Sequence, residues 1–185
     1  MTDPVILKTE RLILRPPLPQ DAAHIATRIG VKDVAWNLGR VPYPYALEDA
    51  EEWLEKVPSR WAEDTAYIFA SVHPDDGLIG CISLRLVPMD VWEIGYWLGK
   101  SWWGQGYTTE AAMALMTWAE RDLQLSRFAS GHFADNPASG RVLKKLGFEP
   151  VGETELYSLA RGVKSPSVRY TKGTEPDLAL RLAAH

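Results

Sequence analysis

The residues best placed to do chemistry fall in one stretch, 91–110, reading V-W-E-I-G-Y-W-L-G-K-S-W-W-G-Q-G-Y-T-T-E. β-Branched and aromatic residues crowd its first eight positions, which predicts a strand. Gly99 and Lys100 turn the chain, and Gly104-Gln105-Gly106 follow. Helical spacing begins at once, with Ala111, Ala112, Leu115, Trp118, Ala119 and Leu123 on one face. Strand, glycine-punctuated loop and helix N-terminus together present backbone N–H groups to an anion. Those of a helix's first turn have no partner inside the helix, and the macrodipole there favours negative charge. Glycine lets the backbone come close to a phosphate. The chemistry expected at Gly104 to Thr108 is therefore capture of a phosphate-bearing ligand. A Gly-x-Gly before a helix is also a common tight turn, so downstream residues have to decide. No Gly-Lys-Ser/Thr follows, which excludes the lysine-bearing phosphate loop. Thr109 stands where the third glycine of a dinucleotide fingerprint belongs, which excludes that pattern too.

The elements that hold this loop are spread over the whole chain. Its 185 residues suffice for one domain, 1–185, with a sizeable core. A composition 46% hydrophobic and 24% charged is that of a globular protein. The net charge of −4 argues against a nucleic-acid partner. Cys81, the only cysteine, excludes an intrachain disulfide and a multi-cysteine metal site. No run approaches the ~20 apolar residues of a membrane span, and the N-terminal M-T-D-P-V-I-L-K-T-E lacks a signal peptide's apolar core. The expectation is a soluble cytoplasmic protein, monomer or homodimer, with no metal and no membrane partner. Strands are expected at 10–14, 65–73, 78–87, 91–98 and 127–133, with another starting at Phe148 and a hairpin of 153–160 and 167–171 turning at Arg161-Gly162. Helices are expected at 21–29, 31–38, 47–57 (ended by Pro58), after Gly106, and at 136–146 with Gly147 as its stop. Residues from about 173 are expected to form a loose tail.

A second landmark, N-P-A-S-G-R-V-L-K-K-L-G-F at 136–148, supplies the missing partner. Together with W-W-G-Q-G-Y-T-T-E-A it resembles the GNAT superfamily of N-acetyltransferases, whose motif here is N-x-x-A/S-x-x-x-x-x-x-x-G-F. T-E-R-L-I-L-R at 9–15 and E-I-G-Y-W-L at 93–98 narrow the resemblance to the RimJ/RimL-like branch, which acetylates protein N-termini. The resemblance covers the chain from Thr9 to about Tyr170. It implies an α/β (α+β) GNAT fold: a mixed, mostly antiparallel sheet of about seven strands, flanked by about four helices, with a central strand splay. It implies acetyl-CoA as co-substrate, its pyrophosphate held by the N–H groups of Gly104, Gln105, Gly106, Tyr107 and Thr108. The strand ending Tyr96-Trp97-Leu98 would splay from 127–133, and the gap would take the pantetheine arm. A main-chain N–H there would polarise the thioester carbonyl, a contribution of ~3 kcal/mol in typical oxyanion sites. Asn136 would bond the pantetheine arm, with helix N-capping as its alternative role. Ser101 replaces the Gln or Arg that usually opens the loop motif.

Many family members carry a tyrosine seven residues after the asparagine to protonate the departing thiolate; here that position is Leu143. The departure is tolerable, since a thiol of pKa ~8.5 needs only ~2 kcal/mol to leave as thiolate at neutral pH. Ser139 takes the position of a RimL-branch serine near the sulfur and is the candidate donor, with a bond to its own backbone as the alternative. Glu93 is the candidate base, acting through water, with a pKa raised by desolvation; its alternative is an ion pair with Arg85. An α-amine of pKa ~8 needs ~1 kcal/mol to be neutral at pH 7, a lysine at ~10.4 needs ~5. A weak base and no tyrosine therefore favour an α-amine. The predicted activity is acetyl transfer to a primary amine, chiefly a protein or peptide N-terminus, by direct attack in a ternary complex. A small-molecule acetyltransferase (amino acid, polyamine or antibiotic) is the rival enzyme, and a non-catalytic acetyl-CoA sensor the rival outside enzymes. Substrate choice is expected at 40–45 and 153–169, where acidic residues of the hairpin suit a cationic amine, though both segments also contain basic ones. His132 near the cleft is expected to be structural, and Trp102 and Trp103 to cover the cofactor or the helix foot.

Overall fold

The strands are β1 (Leu7–Lys8), β2 (Ile13–Arg15), β3 (Ala66–His73), β4 (Gly77–Val87), β5 (Val91–Leu98), β6 (Phe128–Phe133), β7 (Glu149–Ser158) and β8 (Val163–Lys172). In this computed structural model, which describes residues 4–178, they form one sheet ordered β1-β2-β3-β4-β5-β6-β8-β7. Every neighbouring pair is antiparallel except β5 and β6. Six α-helices lie wholly within the described residues: α1 (Ala22–Ile29), α2 (Lys32–Ala35), α3 (Leu47–Glu55), α4 (Val57–Ala62), α5 (Tyr107–Arg121) and α6 (Pro137–Lys145).

Alternation along β3, β4 and β5 gives the sheet two apolar faces, and each needs a cover. One face, with Phe69, Ile82, Leu84 and Ile94, receives Ala111, Leu115 and Trp118 of α5 and Leu143 of α6. The other, with Ala70, Leu78 and Cys81, receives Ile25 of α1 and Leu54 of α3. Side chains as fully buried as Phe128, Leu115 and Ile94 each contribute about 1.5–3 kcal/mol. Among the described residues no helix is long and apolar enough to cross a membrane.

Several expectations need correction. Among the described residues there are eight strands and six α-helices rather than about seven and four: two-residue β1 is too short to show a period, and α4 follows α3 as a separate helix. Pro58 does not end a helix: it sits in the first turn of α4, where its missing N–H has no bond to lose. The strand expected from Glu10 starts only at Ile13, because Thr9 to Leu12 form a turn: Thr9 N–H donates to Leu12 O at 2.9 Å and Leu12 N–H to Thr9 Oγ1 at 2.9 Å. Residues 173–178 are not loose. Thr174 is buried and its Oγ1 donates to Phe128 O at 3.1 Å, while Leu178 packs against the Val87–Val91–Ala129 cluster. The rest of the expected tail lies outside the described residues.

Candidate active site

β5 and β6 pair at Trp92–Phe128 and Glu93–Ala129, then part. Beyond that point β6 stays with β8 and β5 stays with β4 through Leu98. Ser130 Oγ donates to Ile94 O at 2.9 Å at the fork, and Trp103 Nε1 donates to Leu98 O at 2.7 Å at its mouth. Residues two apart share a strand edge, so Tyr96 turns its N–H and C=O into the gap between those two carbonyls. No strand of the sheet meets them there. The gap is the middle of an open groove of ≈ 1780 Å³ that runs from Gly104 past Asn136 and Ser139 to Glu93 and Arg40.

At one end of the groove, Gly104 and Gly106 have φ of 75° and 85°, a conformation that costs an L-residue roughly 1–2 kcal/mol. A Cβ on Gly104 would meet nothing within 4 Å, so that glycine serves backbone shape and close approach rather than packing. The first bond within α5 is Glu110 N–H to Gly106 O at 3.0 Å. The N–H groups of Gly104, Gln105, Gly106, Tyr107 and Thr108 find no acceptor among the described residues, as a helix start leaves them. Arg11 fixes this loop from far away in sequence, a role that the T-E-R-L spacing alone does not disclose. Its Nη1 donates to Gln105 O at 3.0 Å, its guanidinium lies 4.2 Å from the centre of the Tyr107 ring, and its Nε donates to Glu110 Oε2 at 2.7 Å. Glu110 also accepts from Thr9 Oγ1 at 2.6 Å and Arg11 N–H at 2.8 Å. Burial pushes the Glu110 carboxyl up, but these bonds outweigh it and hold it below its ordinary value.

Asn136 occupies the N-cap position of α6 without capping it: its side chain makes no bond among the described residues, leaving the amide free beside the groove. One turn on, Tyr96 Oη donates to Ser139 O at 3.1 Å and lies 2.9 Å from Ser139 Oγ. Burial pushes the Tyr96 phenol up to about 12, against the downward pull of Ser139. Leu143 is fully buried in the core and does not line the groove, so a family-style tyrosine has no place here. The hydroxyls beside the fork are those of Tyr96 on β5 and Ser139 on α6. His132 is packed against α6, where a Cβ on Gly140 would lie 2.5 Å from its Nε2, and its Nδ1 lies 2.8 Å from Phe133 O. Trp97 packs on the α1–α3 face, and Leu98 on the α5 face. Trp102 lies under Arg28 and donates to Asp76 Oδ2 at 2.9 Å.

At the other end, Glu93 is desolvated as expected, but its pKa is lowered rather than raised. Arg85 Nη2 donates to its Oε2 at 2.5 Å, and Arg169 donates to its Oε1 at 3.1 Å from both Nη1 and Nη2. Burial does push the carboxyl up, but Arg169, Arg85 and Arg40 outweigh it and hold it below the usual carboxylate range. The pairing with Arg85, weighed as the alternative, is present, and Arg169 adds to it. The hairpin β7–β8 likewise brings Lys164 and Arg169 to the groove beside Glu155, so it does not offer a simply acidic wall. Among the described residues no cluster of His, Cys, Asp or Glu is arranged to hold a metal.

A mostly antiparallel sheet forked at its one parallel pair, with a phosphate-ready helix start beside the fork, defines an acyltransferase that draws on a coenzyme A thioester. More narrowly, the chain belongs to the GNAT acetyltransferase family: the sequence model of the acetyltransferase (GNAT) domain matches residues 11–149. The uncharacterized N-acetyltransferase YoaA of Bacillus subtilis is 29% identical over 160 residues, covering 85% of this chain and 90% of the relative. The [ribosomal protein uS5]-alanine N-acetyltransferase of Escherichia coli is 29% identical over 104 residues, 54% of each chain. Among solved structures, the ribosomal-protein-S5-alanine acetyltransferase of Vibrio fischeri superimposes with a TM-score of 0.80 at 22% identity, covering 91% of this chain and 96% of that one. RimL, the ribosomal L7/L12 α-N-protein acetyltransferase, in complex with coenzyme A, superimposes with a TM-score of 0.78 at 22% identity, covering 94% and 100%. The protein is an acetyl-CoA-dependent N-acetyltransferase of this family, and its residues fit that co-substrate: free amides for phosphate, an uncommitted Asn136 and an unpaired strand edge between them.

Arg11→Ala is expected to raise KM for acetyl-CoA several-fold while changing kcat little, because Arg11 shapes the loop without reaching the fork. Initial rates across acetyl-CoA concentrations test this; an unchanged KM would remove Arg11 from loop positioning.

Proposed function

We propose that the chain, residues 1–185, works in the cytoplasm as one acetyltransferase domain that acetylates the N-terminal α-amine of a protein or peptide by direct attack in a ternary complex. The observation that carries this reading is the ion-paired state of Glu93, which leaves a weak base on the acceptor face of the fork. A lysine at ~10.4 would need a strong one, whereas an α-amine near ~8 loses its proton to solvent for ~1 kcal/mol at pH 7. The names of RimL and of the uS5-alanine enzyme point the same way.

In this reading the amides of Gly104, Gln105, Gly106, Tyr107 and Thr108 hold the pyrophosphate. Asn136 and the edge of Tyr96, Trp97 and Leu98 hold the pantetheine arm, with the Tyr96 N–H facing the acyl oxygen. Bound acetyl-CoA supplies the activated acetyl group and a thiolate leaving group. When the Tyr96 proton turns from Ser139 O to Ser139 Oγ, the Ser139 proton is free to hydrogen-bond that thiolate. Full transfer from a phenol of pKa about 12 to a thiolate of ~8.5 would be uphill by ~5 kcal/mol. The pair therefore stabilises the leaving group by hydrogen bonding, and the proton itself comes from solvent. This also answers the sensor reading, which rested on Leu143: a hydroxyl at the fork no longer depends on that position.

Release of free thiol from acetyl-CoA, measured across a panel of peptides and free amines, tests the proposal. Peptides with free N-termini are expected to turn over and their N-formyl counterparts not. Turnover confined to free small amines would replace this reading with the small-molecule one.

A further inference from the structure

The acceptor end of the groove holds positive charge that neither the fold nor acetyl transfer accounts for. Arg40, Arg60, Arg85 and Arg169 line one groove with Glu93, and Arg40 lies within electrostatic reach of Arg85, Glu93, Arg60 and Arg169. They arrive from four separate places: the segment after α2, helix α4, strand β4 and strand β8. Glu93 is the one carboxylate among them, and Arg85 and Arg169 share it. Arg40 and Arg60 have no acidic partner and no side-chain hydrogen bond among the described residues. Arg169 is only 5% exposed, and its Nε finds no acceptor.

Lys56 and Lys164 add to the same wall. The other acids lining the groove are Asp49, Glu52 and Glu155, and Asp49 already accepts the Ala46 N–H at 2.8 Å. In a chain of net charge −4, this concentration of cations runs against the composition. Like charges gathered in a partly dry groove repel one another unless an anion joins them.

We propose that this cluster binds a carboxylate on the acceptor, so that the preferred substrate is an acidic peptide, with Asp or Glu in the first few residues after the acetylated one. The inference rests on the peptide reading above for the kind of acceptor. Guanidinium groups suit the task because their fork of donors matches a carboxylate. The cluster has a second effect on the chemistry. Cations around the acceptor disfavour its ammonium form, so the amine reaches the fork more readily as the free base. That offsets the weakness of Glu93 as a base. The same charge rejects polyamines and lysine-rich N-termini.

The test compares kcat/KM for serine-initiated peptides that carry Asp-Glu, Asn-Gln or Lys-Lys at the second and third positions. The acidic peptide is expected to lead the neutral one by about tenfold, the scale of one charge-assisted pair. That ratio should shrink as salt is raised. Arg40→Gln and Arg60→Gln should each reduce it, the double variant should bring it near one, and Arg40→Lys should keep most of it. Equal rates for acidic and neutral peptides, or a ratio that survives the double variant, would overturn the inference and leave the peptide reading intact. Free amino acids and their amides form the separating arm. Turnover of amino acids but of neither amides nor peptides would discard the peptide reading and keep the anion site. If a variant does not fold, as a thermal melt would reveal, the salt series on the unmodified protein decides.

Discussion

Replacing Glu93 with glutamine is expected to lower stability by about 3 kcal/mol, a fall in Tm of roughly 6–12 °C at this chain length, without changing how the rate rises with pH. Glutamine keeps the shape but turns an amide toward Arg85 and Arg169 and leaves their charges unanswered beside Arg40. Removing one partner of a buried ion pair typically costs about 3–5 kcal/mol, and the 23% exposure of the Glu93 side chain places this case at the lower end. The folded pKa of Glu93 is depressed, so its contribution is complete above the ordinary carboxylate value of about 4.3 and is lost as pH falls through the folded value. The stability gap between wild type and variant should therefore be constant from neutral pH down to about 6 and close in acid below about 4. Denaturant melts at a series of pH values measure it. A carboxylate held so acid is ionised throughout the working range and imposes no inflection on the rate. Should the glutamine variant flatten the pH–rate profile, Glu93 would be reinstated as the base.

The contrast between Glu93 and the phosphate loop shows what the sequence discloses and what it does not. The loop was legible because its physics is local: glycines with positive φ, and unpaired amides at the start of a helix, sit within five consecutive residues. The strand over 91–98 and the buried face of α5 were legible for the same reason, through period and residue type. The setting of Glu93 is not local. Arg169 reaches it from β8 by passing over β6 at Gly131, where a Cβ would lie 2.9 Å from Arg169 Nη1 and 3.0 Å from Val168 O. Nothing in the spacing of Glu93, Gly131 and Arg169 announces that crossing; only the strand order β5-β6-β8 creates it. Arg11 and Glu110 are 99 residues apart and fail to announce themselves for the same reason, although T-E-R-L and T-E-A both stood out as motif pieces. Pro58 misled because a proline ends one helix and begins another with equal ease. Its backbone context, not its identity, decides.

The hydroxyl pair at the fork makes a sharper claim, because its members act as one unit. Ser139→Ala is expected to lower kcat by about 10–100-fold, since a hydrogen bond to a charged group is worth about 1.5–3 kcal/mol. KM for acetyl-CoA should move little, because Asn136 and the loop amides are untouched. Tyr96→Phe acts through Ser139 by releasing its Oγ to bond elsewhere, so a smaller loss in kcat is expected, under about tenfold. Residues in one hydrogen-bonded chain do not contribute additively. The double variant should therefore be no slower than Ser139→Ala alone. Single-turnover rates for the four proteins, with acetyl-CoA saturating, give the cycle directly. Losses that multiply would mean that Tyr96 reaches the sulfur by its own route rather than through Ser139. A rise in KM with kcat intact would reduce both hydroxyls to packing at the fork, and the leaving thiolate would then depart on its own acidity, stabilised by solvent alone.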